Sequence, residues 1–328
     1  MPKFLIIRFS SIGDIVLTTP VIRCLKKQVP DAEVHFLTKE SFRSVVQHNP
    51  YIDKLQLLSH SWELMMEELK AENYDYIIDL HHNTKTLRVK RGLKKPAYSF
   101  YKLNIQKYFY TAFKINTLPK VHIVDRYLDT VKEFGVKNDG GGLDYFISKE
   151  EETKRDDIPA SHQAGYVACV IGAALGTKRW PVHKWKEFCA QLKHPVILLG
   201  GPEDRVNGDE IAATDNIKVY NACGKFRLNE SADLVRRAKL VITNDTGLMH
   251  IAAAYKKPII SLWGNTVPSF GMTPYYGNAP VPDLIMQVNN LWCRPCSKIG
   301  YAKCPLGHFK CMEKIDVGEL VVKAVARM

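Results

Sequence analysis

Leu240-Val-Ile-Thr-Asn-Asp-Thr-Gly-Leu-Met-His-Ile-Ala-Ala-Ala-Tyr255 is the stretch on which the reading of this 328-residue chain turns. Residues 240–243 are a short apolar run of strand type, residues 244–247 are small and polar, and residues 248–255 have helical character. A strand that ends in such a turn and opens a helix leaves backbone N–H groups unpaired at the helix start. With the positive end of the helix dipole, those donors suit a phosphate. A simple cap by Asp245 or Thr246 would use the same residues, so the stretch has to be weighed with the rest of the chain.

The N-terminus carries the same pattern. Residues 3–8 read as a strand, Phe9 to Asp14 as a Ser/Gly turn, and residues 15–26 as a helix with a kink or restart at Pro20. Strands over 33–38, 55–58 and 74–80 alternate with helices over 42–47 and 61–71, the latter capped by Ser61. The alternation fades through a basic stretch and resumes with a helix over 124–134, closed by Gly135. After the charged segment 148–161 it starts afresh, with strands over 166–171, 195–199, 217–220, 240–243 and 258–263 and helices between them. This predicts an α/β chain of two Rossmann-like domains, 1–155 and 156–328, whose parallel sheets face a central cleft. Ligands in such sheets sit beyond the carboxyl ends of the strands, where both the Asp14 and the Asp245 turns would lie.

Composition excludes several classes. A hydrophobic content of 46% with 24% charged residues suits a globular protein and not a disordered one. No apolar run approaches the ~18 residues of a membrane span, and the first apolar run is too short for a signal peptide, so the chain is expected to be cytoplasmic. The formal charge of +12 is concentrated. Residues 81–120 hold ten Lys or Arg and no Asp or Glu, interleaved with Tyr98, Phe100, Tyr101, Tyr108, Phe109, Tyr110 and Phe113. Such a patch can meet nucleic acid, an anionic membrane face or a phosphorylated acceptor; it can also be a solvated face balanced by other segments. No G-x-G-x-x-G follows any strand, which disfavours a dehydrogenase.

Five stretches together resemble glycosyltransferase family 9, the bacterial heptosyltransferases: Arg8-Phe-Ser-Ser-Ile-Gly-Asp-Ile-Val-Leu-Thr-Thr-Pro20, Lys178-Arg-Trp-Pro181, Leu199-Gly-Gly-Pro-Glu-Asp204, Asn244-Asp-Thr-Gly-Leu-Met-His250 and the Cys-rich tail. The resemblance implies a GT-B fold, with the acceptor held mainly by the first domain and a nucleotide-sugar by the second. It further implies an inverting, metal-independent transfer of heptose from ADP-L-glycero-D-manno-heptose to the lipopolysaccharide inner core. No cofactor is then required beyond the donor substrate. The partners are an anionic glycolipid acceptor and, peripherally, the inner membrane, with no nucleic acid. A donor other than ADP-heptose for surface glycan synthesis, and a non-catalytic nucleic-acid-binding protein using the basic segment, are the rival readings.

Glycosyl transfer needs a base for the acceptor hydroxyl and positive potential on the departing diphosphate. Asp14 in its turn is the candidate base, with a helix cap as its alternative role, and Ser11 and Gly13 are expected against the acceptor. Lys178 matches the family's phosphate-binding lysine, assisted by Thr177. The Thr246 hydroxyl and the Thr246 and Gly247 N–H groups are expected on the diphosphate, and Asp245 on sugar hydroxyls. His250 is either in the same pocket or packed, and the resemblance puts Glu203 against the nucleoside. Lys85, Arg88, Lys90 and Arg91 are expected to line the acceptor side; His81 and His82 carry no assigned role.

Of eight cysteines, Cys24, Cys169, Cys189 and Cys223 occur singly, as small buried hydrophobes do. Cys293, Cys296, Cys304 and Cys311 cluster, with His308 among them. They are candidates for structural zinc, although the second spacing is wide, and reduced or paired thiols are the alternative.

Overall fold

The computed structural model describes residues 1–58, 61–281 and 283–328. Contacts divide the chain into two compact units. The first comprises residues 1–102, 121–146 and 275–279; the second comprises 103–120, 147–274 and 280–328. The division is therefore not a single cut: residues 103–120, early in the chain, group with the second unit.

In the first unit β1 (Lys3–Ile7) is followed by α1 (Ile12–Val16) and α2 (Thr19–Gln28), then β2 (Glu33–Lys39) and β3 (Lys54–Leu58). Next come α3 (Trp62–Ala71), β4 (Tyr76–Asp79), α4 (Thr84–Leu93) and β5 (Ala97–Ser99). The expected helix over 15–26 is two helices: Ser11 caps the first, and Pro20 sits in the first turn of the second, where its missing N–H costs nothing. Residues 40–45 form a 3-10 turn in place of the helix expected over 42–47. The Ser61 hydroxyl accepts from the Leu64 N–H as expected. All strands are parallel, in the order β3-β2-β1-β4-β5. The three central strands β2, β1 and β4 are buried on both faces, as crossover helices require.

α5 (Asn104–Phe113) belongs to the second unit, and α6 (Ile123–Leu128) returns to the first. The helix expected over 124–134 is α6 continued as a 3-10 turn and ended by Gly135 at φ +75°. Further on, Gly140 and Gly142 have φ of +69° and +74°, and a Cβ on Gly141 would stand 2.7 Å from Arg23. The glycine run thus lets a loop close over the buried Arg23 guanidinium. That group donates twice to Asp139 at 2.8 Å and to the Gly142 carbonyl at 2.9 Å, and it pairs with Asp144.

The second unit runs β6 (Val167–Val170), α7 (Val182–Gln191), β7 (Val196–Leu199), α8 (Arg205–Ala212), β8 (Val219–Asn221), α9 (Leu228–Arg237), β9 (Leu240–Asn244), α10 (Gly247–Ala254) and β10 (Ile259–Trp263). It ends with β11 (Asp283–Gln287), α11 (Lys310–Glu313) and α12 (Val317–Val325). Its six parallel strands lie in the order β11-β10-β9-β6-β7-β8, which is the doubly wound Rossmann order. Val167, Leu198, Ile242 and Leu262 pack with Trp185 and Phe188 of α7 in its core. Segment 148–161 docks on α9, where Asp233 accepts from Thr153 N and Oγ1 at 2.9 and 2.6 Å. Among the described residues no helix is long and apolar enough to cross a membrane.

One interaction fixes the end of β4. Asp79 is fully buried; it accepts from the N–H groups of His81 and His82 at 3.1 and 2.7 Å and pairs with Lys90 at 2.8 Å. Burial would raise its pKa, but Lys90 and the His82 N–H outweigh burial and hold it below the usual value. Replacing Lys90 by Met strands that carboxylate, so denaturant titration should show a loss of roughly 3–5 kcal/mol, recovered in large part by the double change Lys90→Met with Asp79→Asn. Wild-type stability in the single variant would remove the pair from the fold's supports.

Candidate active site

Each sheet reverses its strand order at one point, between β1 and β4 in the first unit and between β6 and β9 in the second. Loops leaving the carboxyl ends there diverge to opposite faces, which opens a crevice suited to a ligand. Of the residues expected to carry chemistry, Asp14, Lys178, Asp245, Thr246 and Gly247 follow three of these strands, in the loops or the first turns of the helices they open.

In the first unit Asp14 lies in the first turn of α1. Its carboxylate accepts from the Ser11 N–H at 3.2 Å and the Ser11 hydroxyl at 2.8 Å. It therefore does close a capping arrangement. It also pairs with Arg8, whose Nη2 is 2.7 Å from Oδ1. Arg8 is itself clamped: Nε donates to the Ser10 carbonyl at 2.7 Å, and Nη1 to the Leu80 carbonyl at 2.5 Å and the Tyr127 hydroxyl at 3.0 Å. Burial opposes the Arg8 charge, but Tyr127, Asp14 and Asp79 outweigh burial and raise its pKa, so it stays cationic. Arg8 thus ties the loop after β1 to the end of β4. The sequence reading placed Arg8 in a motif without a role; its signal is a charge at the end of an otherwise apolar strand.

His81 follows β4, its ring 5.1 Å from that of Phe9. The four basic residues expected beside the acceptor separate. Lys90 turns inward to Asp79 and Ser99, which corrects its reading as an acceptor contact. Arg88 lies over the Trp62 ring at 4.3 Å, against α3. Lys85 and Arg91 are exposed on α4, Ser11 is exposed and Gly13 is buried within α1.

In the second unit the loop after β6 carries Lys178 and the loop after β9 carries Asp245. Lys178 Nζ lies 2.6 Å from Asp245 Oδ2, which also accepts from the Thr266 hydroxyl at 3.0 Å. Neither Asp245 nor Thr246 caps α10 through its side chain: Thr246 holds the cap position with no side-chain cap bond, and Asp245 is turned to Lys178. The first turn of α10, with Thr246 and Gly247 half-buried, is thus left with its amide donors beside a lysine charge. In chemical terms such an arrangement suits an anion.

Three residues that the sequence reading did not single out shape this loop pair. Asn244 is buried; its amide donates to the Val170 and Ile171 carbonyls at 3.2 and 3.0 Å, and its oxygen accepts from the Trp180 N–H at 3.2 Å. It locks the two loops together. Arg294, from the Cys-rich segment, donates to the carbonyls of Gly264, Val288 and Thr266. It therefore sets the residue that holds Asp245. Tyr301 exchanges hydrogen bonds with Thr177: Thr177 N donates to its carbonyl at 3.1 Å, and its N–H donates to Thr177 Oγ1 at 2.8 Å. The buried Thr177 hydroxyl is engaged in this clasp, so it serves the loop's shape and not a ligand directly. His250 is 3% exposed and packs in the α10 interior. Glu203 is exposed after β7, and it is the next carboxylate, Asp204, that is buried and paired with Arg179 at 3.2 Å.

All eight cysteines are free thiols. Burial pushes the Cys189, Cys223 and Cys311 thiols up to about 12. Cys293 Sγ is 3.9 Å from His308 Nε2, and Cys296 Sγ donates to the Cys293 carbonyl at 3.0 Å. Among the described residues the one trio with ligand atoms within 4.8 Å of one another is Glu33, His35 and Glu72, not the cysteines. The two carboxylates of that trio are paired with Lys3 and Lys54.

Residues 62–305 match the family described as glycosyltransferase family 9 (heptosyltransferase). The chain is a member of that family. It is 27% identical over 306 residues to lipopolysaccharide heptosyltransferase 1 of Campylobacter coli, covering 84% of this chain and 86% of that one. Its fold is similar to that of the solved Escherichia coli ADP-heptose lps heptosyltransferase II, with a TM-score of 0.75, 20% identity, and 99% and 98% of the two chains covered. An E. coli heptosyltransferase solved with ADP gives a TM-score of 0.72 at 19% identity, over 99% and 100% of the chains. The chain is thus a glycosyltransferase of GT-B type with two Rossmann-like domains, as the resemblance implied. Family membership sets aside the non-catalytic nucleic-acid-binding reading.

His81 yields a pH prediction for this family 9 enzyme. Burial first, then the positive charges of Arg8 and Lys102, lower its pKa from 6.5 to about 4. The unfolded chain binds this proton at higher pH than the folded one. The stability that neutral His81 confers is then complete above its unfolded pKa and lost as pH falls from there toward the folded value. Urea midpoints measured across that window should fall less steeply for His81→Gln than for the wild type. Parallel profiles would contradict the assignment.

Proposed function

We propose that this family 9 enzyme is an inverting, metal-independent heptosyltransferase that moves heptose from ADP-L-glycero-D-manno-heptose to the lipopolysaccharide inner core. The observation that carries the reading is the Lys178 charge held beside the open N-terminus of α10 at the strand reversal of the second unit. There a diphosphate meets a full positive charge, backbone donors and a helix dipole together. The fold likeness to E. coli enzymes whose descriptions name ADP-heptose or ADP supports an ADP-linked donor.

In the proposed reaction the acceptor hydroxyl oxygen bonds to the anomeric carbon as that carbon's bond to the diphosphate oxygen breaks. Attack on the face opposite the leaving ADP inverts the centre. Asp14 takes the hydroxyl proton. Arg8 holds its carboxylate by one oxygen and Ser11 by the other, so the base has a fixed direction. Lys178 and the Thr246 and Gly247 amides stabilise the charge that develops on ADP, a role a divalent cation plays elsewhere. Asp245 orients Lys178, and Glu203 on the loop after β7 is the nucleoside contact. The acceptor is an anionic glycolipid met from the cytoplasmic side of the inner membrane, with Lys85 and Arg91 as exposed cations on its side.

Transfer should be measured with ADP-heptose and a heptose-free core acceptor, with and without a chelator. Asp14→Asn should lower kcat by roughly 10²–10⁴-fold. Lys178→Met should lower it by about 10²–10³-fold. Chelation should have no effect. Full turnover by Asp14→Asn would remove Asp14 as base, a chelator-sensitive rate would remove metal independence, and productive use of another nucleotide-sugar alone would replace the donor.

A further inference from the structure

Helix α5 is amphipathic in the wrong sense for a soluble protein. Ile105, Tyr108, Phe109, Ala112 and Phe113 recur at the spacing of one helical face. In an ordinary surface helix that stripe is turned inward. Here Ile105, Tyr108, Phe109 and Phe113 are 64, 60, 43 and 58% exposed, and no residue of α5 is buried. The opposite face holds the helix to its own unit. Tyr110 packs edge-on against Phe270 with centroids 6.0 Å apart, Lys107 lies 5.8 Å from the same ring, and Lys114 donates to the Pro295 carbonyl at 2.8 Å. The anchoring contacts are made by one stripe, so the apolar stripe is presented outward by attachment and not by fraying. Its aromatic rings touch one another, Phe109 standing 5.7 Å from Phe113 and Tyr108 6.2 Å from each.

We infer that α5 lies in the headgroup region of an anionic bilayer, with Ile105, Tyr108, Phe109 and Phe113 in the acyl boundary. Charge selects this occupant. Within the second unit the stretch 103–120, which contains the helix, has Lys107, Lys114 and Lys120 and no acidic residue. A second copy would bring the same positive charge against itself. An anionic leaflet instead supplies the negative potential and the apolar layer together. Lys120 follows the stripe in sequence, Ile115 extends it at 55% exposure, and the long lysine stems can reach lipid phosphates while the rings are submerged. The inference rests on the reading of a membrane-held acceptor and assigns the element that makes the contact.

The test is sedimentation of the full-length protein with phosphatidylglycerol-containing vesicles and with pure phosphatidylcholine vesicles at several salt concentrations. The wild type should partition to the anionic vesicles and release as salt rises. A triple change, Tyr108→Ser, Phe109→Ser and Phe113→Ser, should lower partitioning by about tenfold or more. Transfer to a lipid-free oligosaccharide acceptor and thermal melting should be unchanged. A separate Phe113→Trp variant should be quenched by bromine-labelled lipid. Equal vesicle binding by the triple variant, or no quenching at position 113, overturns the inference. So does a shift from dimer to monomer in the triple variant, which would make the face a self-interface. Failed transfer with normal, α5-dependent vesicle binding would instead count against the proposed reaction and leave the membrane contact standing.

Discussion

A parallel sheet that reverses its strand order leaves two neighbouring strands whose exit loops must part. That constraint organises both units. Between β1 and β4, and again between β6 and β9, the loops turn to opposite faces, and nothing in the sheet fills the gap at their carboxyl ends. The chain then spends its buried polar groups on keeping each pair of loops in register. Arg8 reaches from the end of β1 to the Leu80 carbonyl after β4; Asn244 reaches from the end of β9 to the two carbonyls that end β6. One clamp uses a cation and the other an amide. The difference fits the neighbours: Arg8 has Asp14 to pair with, whereas the second loop pair already holds the Lys178 charge.

The clamps also separate holding from acting. Arg8, Asn244, Arg294 and Thr177 have their polar atoms committed to backbone or neighbouring side chains. Asp14, Lys178 and the first turn of α10 are presented at the loop ends. A buried group that lacks partners is costly, so the supporting residues cannot be exchanged singly without strain on the loops they hold.

Much of this was legible in the chain. Apolar runs bounded by Ser, Gly and Asp turns located nine of the eleven strands among the described residues, because strands buried on both faces leave a compact hydrophobic signature. β5 and β11 escaped: the first is three residues in a lysine-rich stretch, and the second is an edge strand with one buried residue. α4 escaped too, although Asn83 and Thr86 form a reciprocal cap that was readable at its start. Of the candidate site, Asp14, Lys178 and Asp245 fall at the strand reversals of the two sheets, but their partners did not follow from spacing. Lys90 looked like one more cation of the basic stretch; only the fold brings it to Asp79. Arg294 and Tyr301 lie too far along the chain for any local pattern to connect them with Lys178.

That distance has a consequence for how the protein is made. The loop after β6 leaves the ribosome well before its brace, since the clasp between Thr177 and Tyr301 closes over 124 residues. Until the segment around Cys296 emerges, the Lys178 loop lacks its brace and Asp245 lacks the Arg294-held threonine beside it. Long-range closure of this kind comes late in folding, because the chain entropy must be lost before the contacts form. The Lys178 loop of the second unit therefore takes its final shape late, once the segment that braces it is complete.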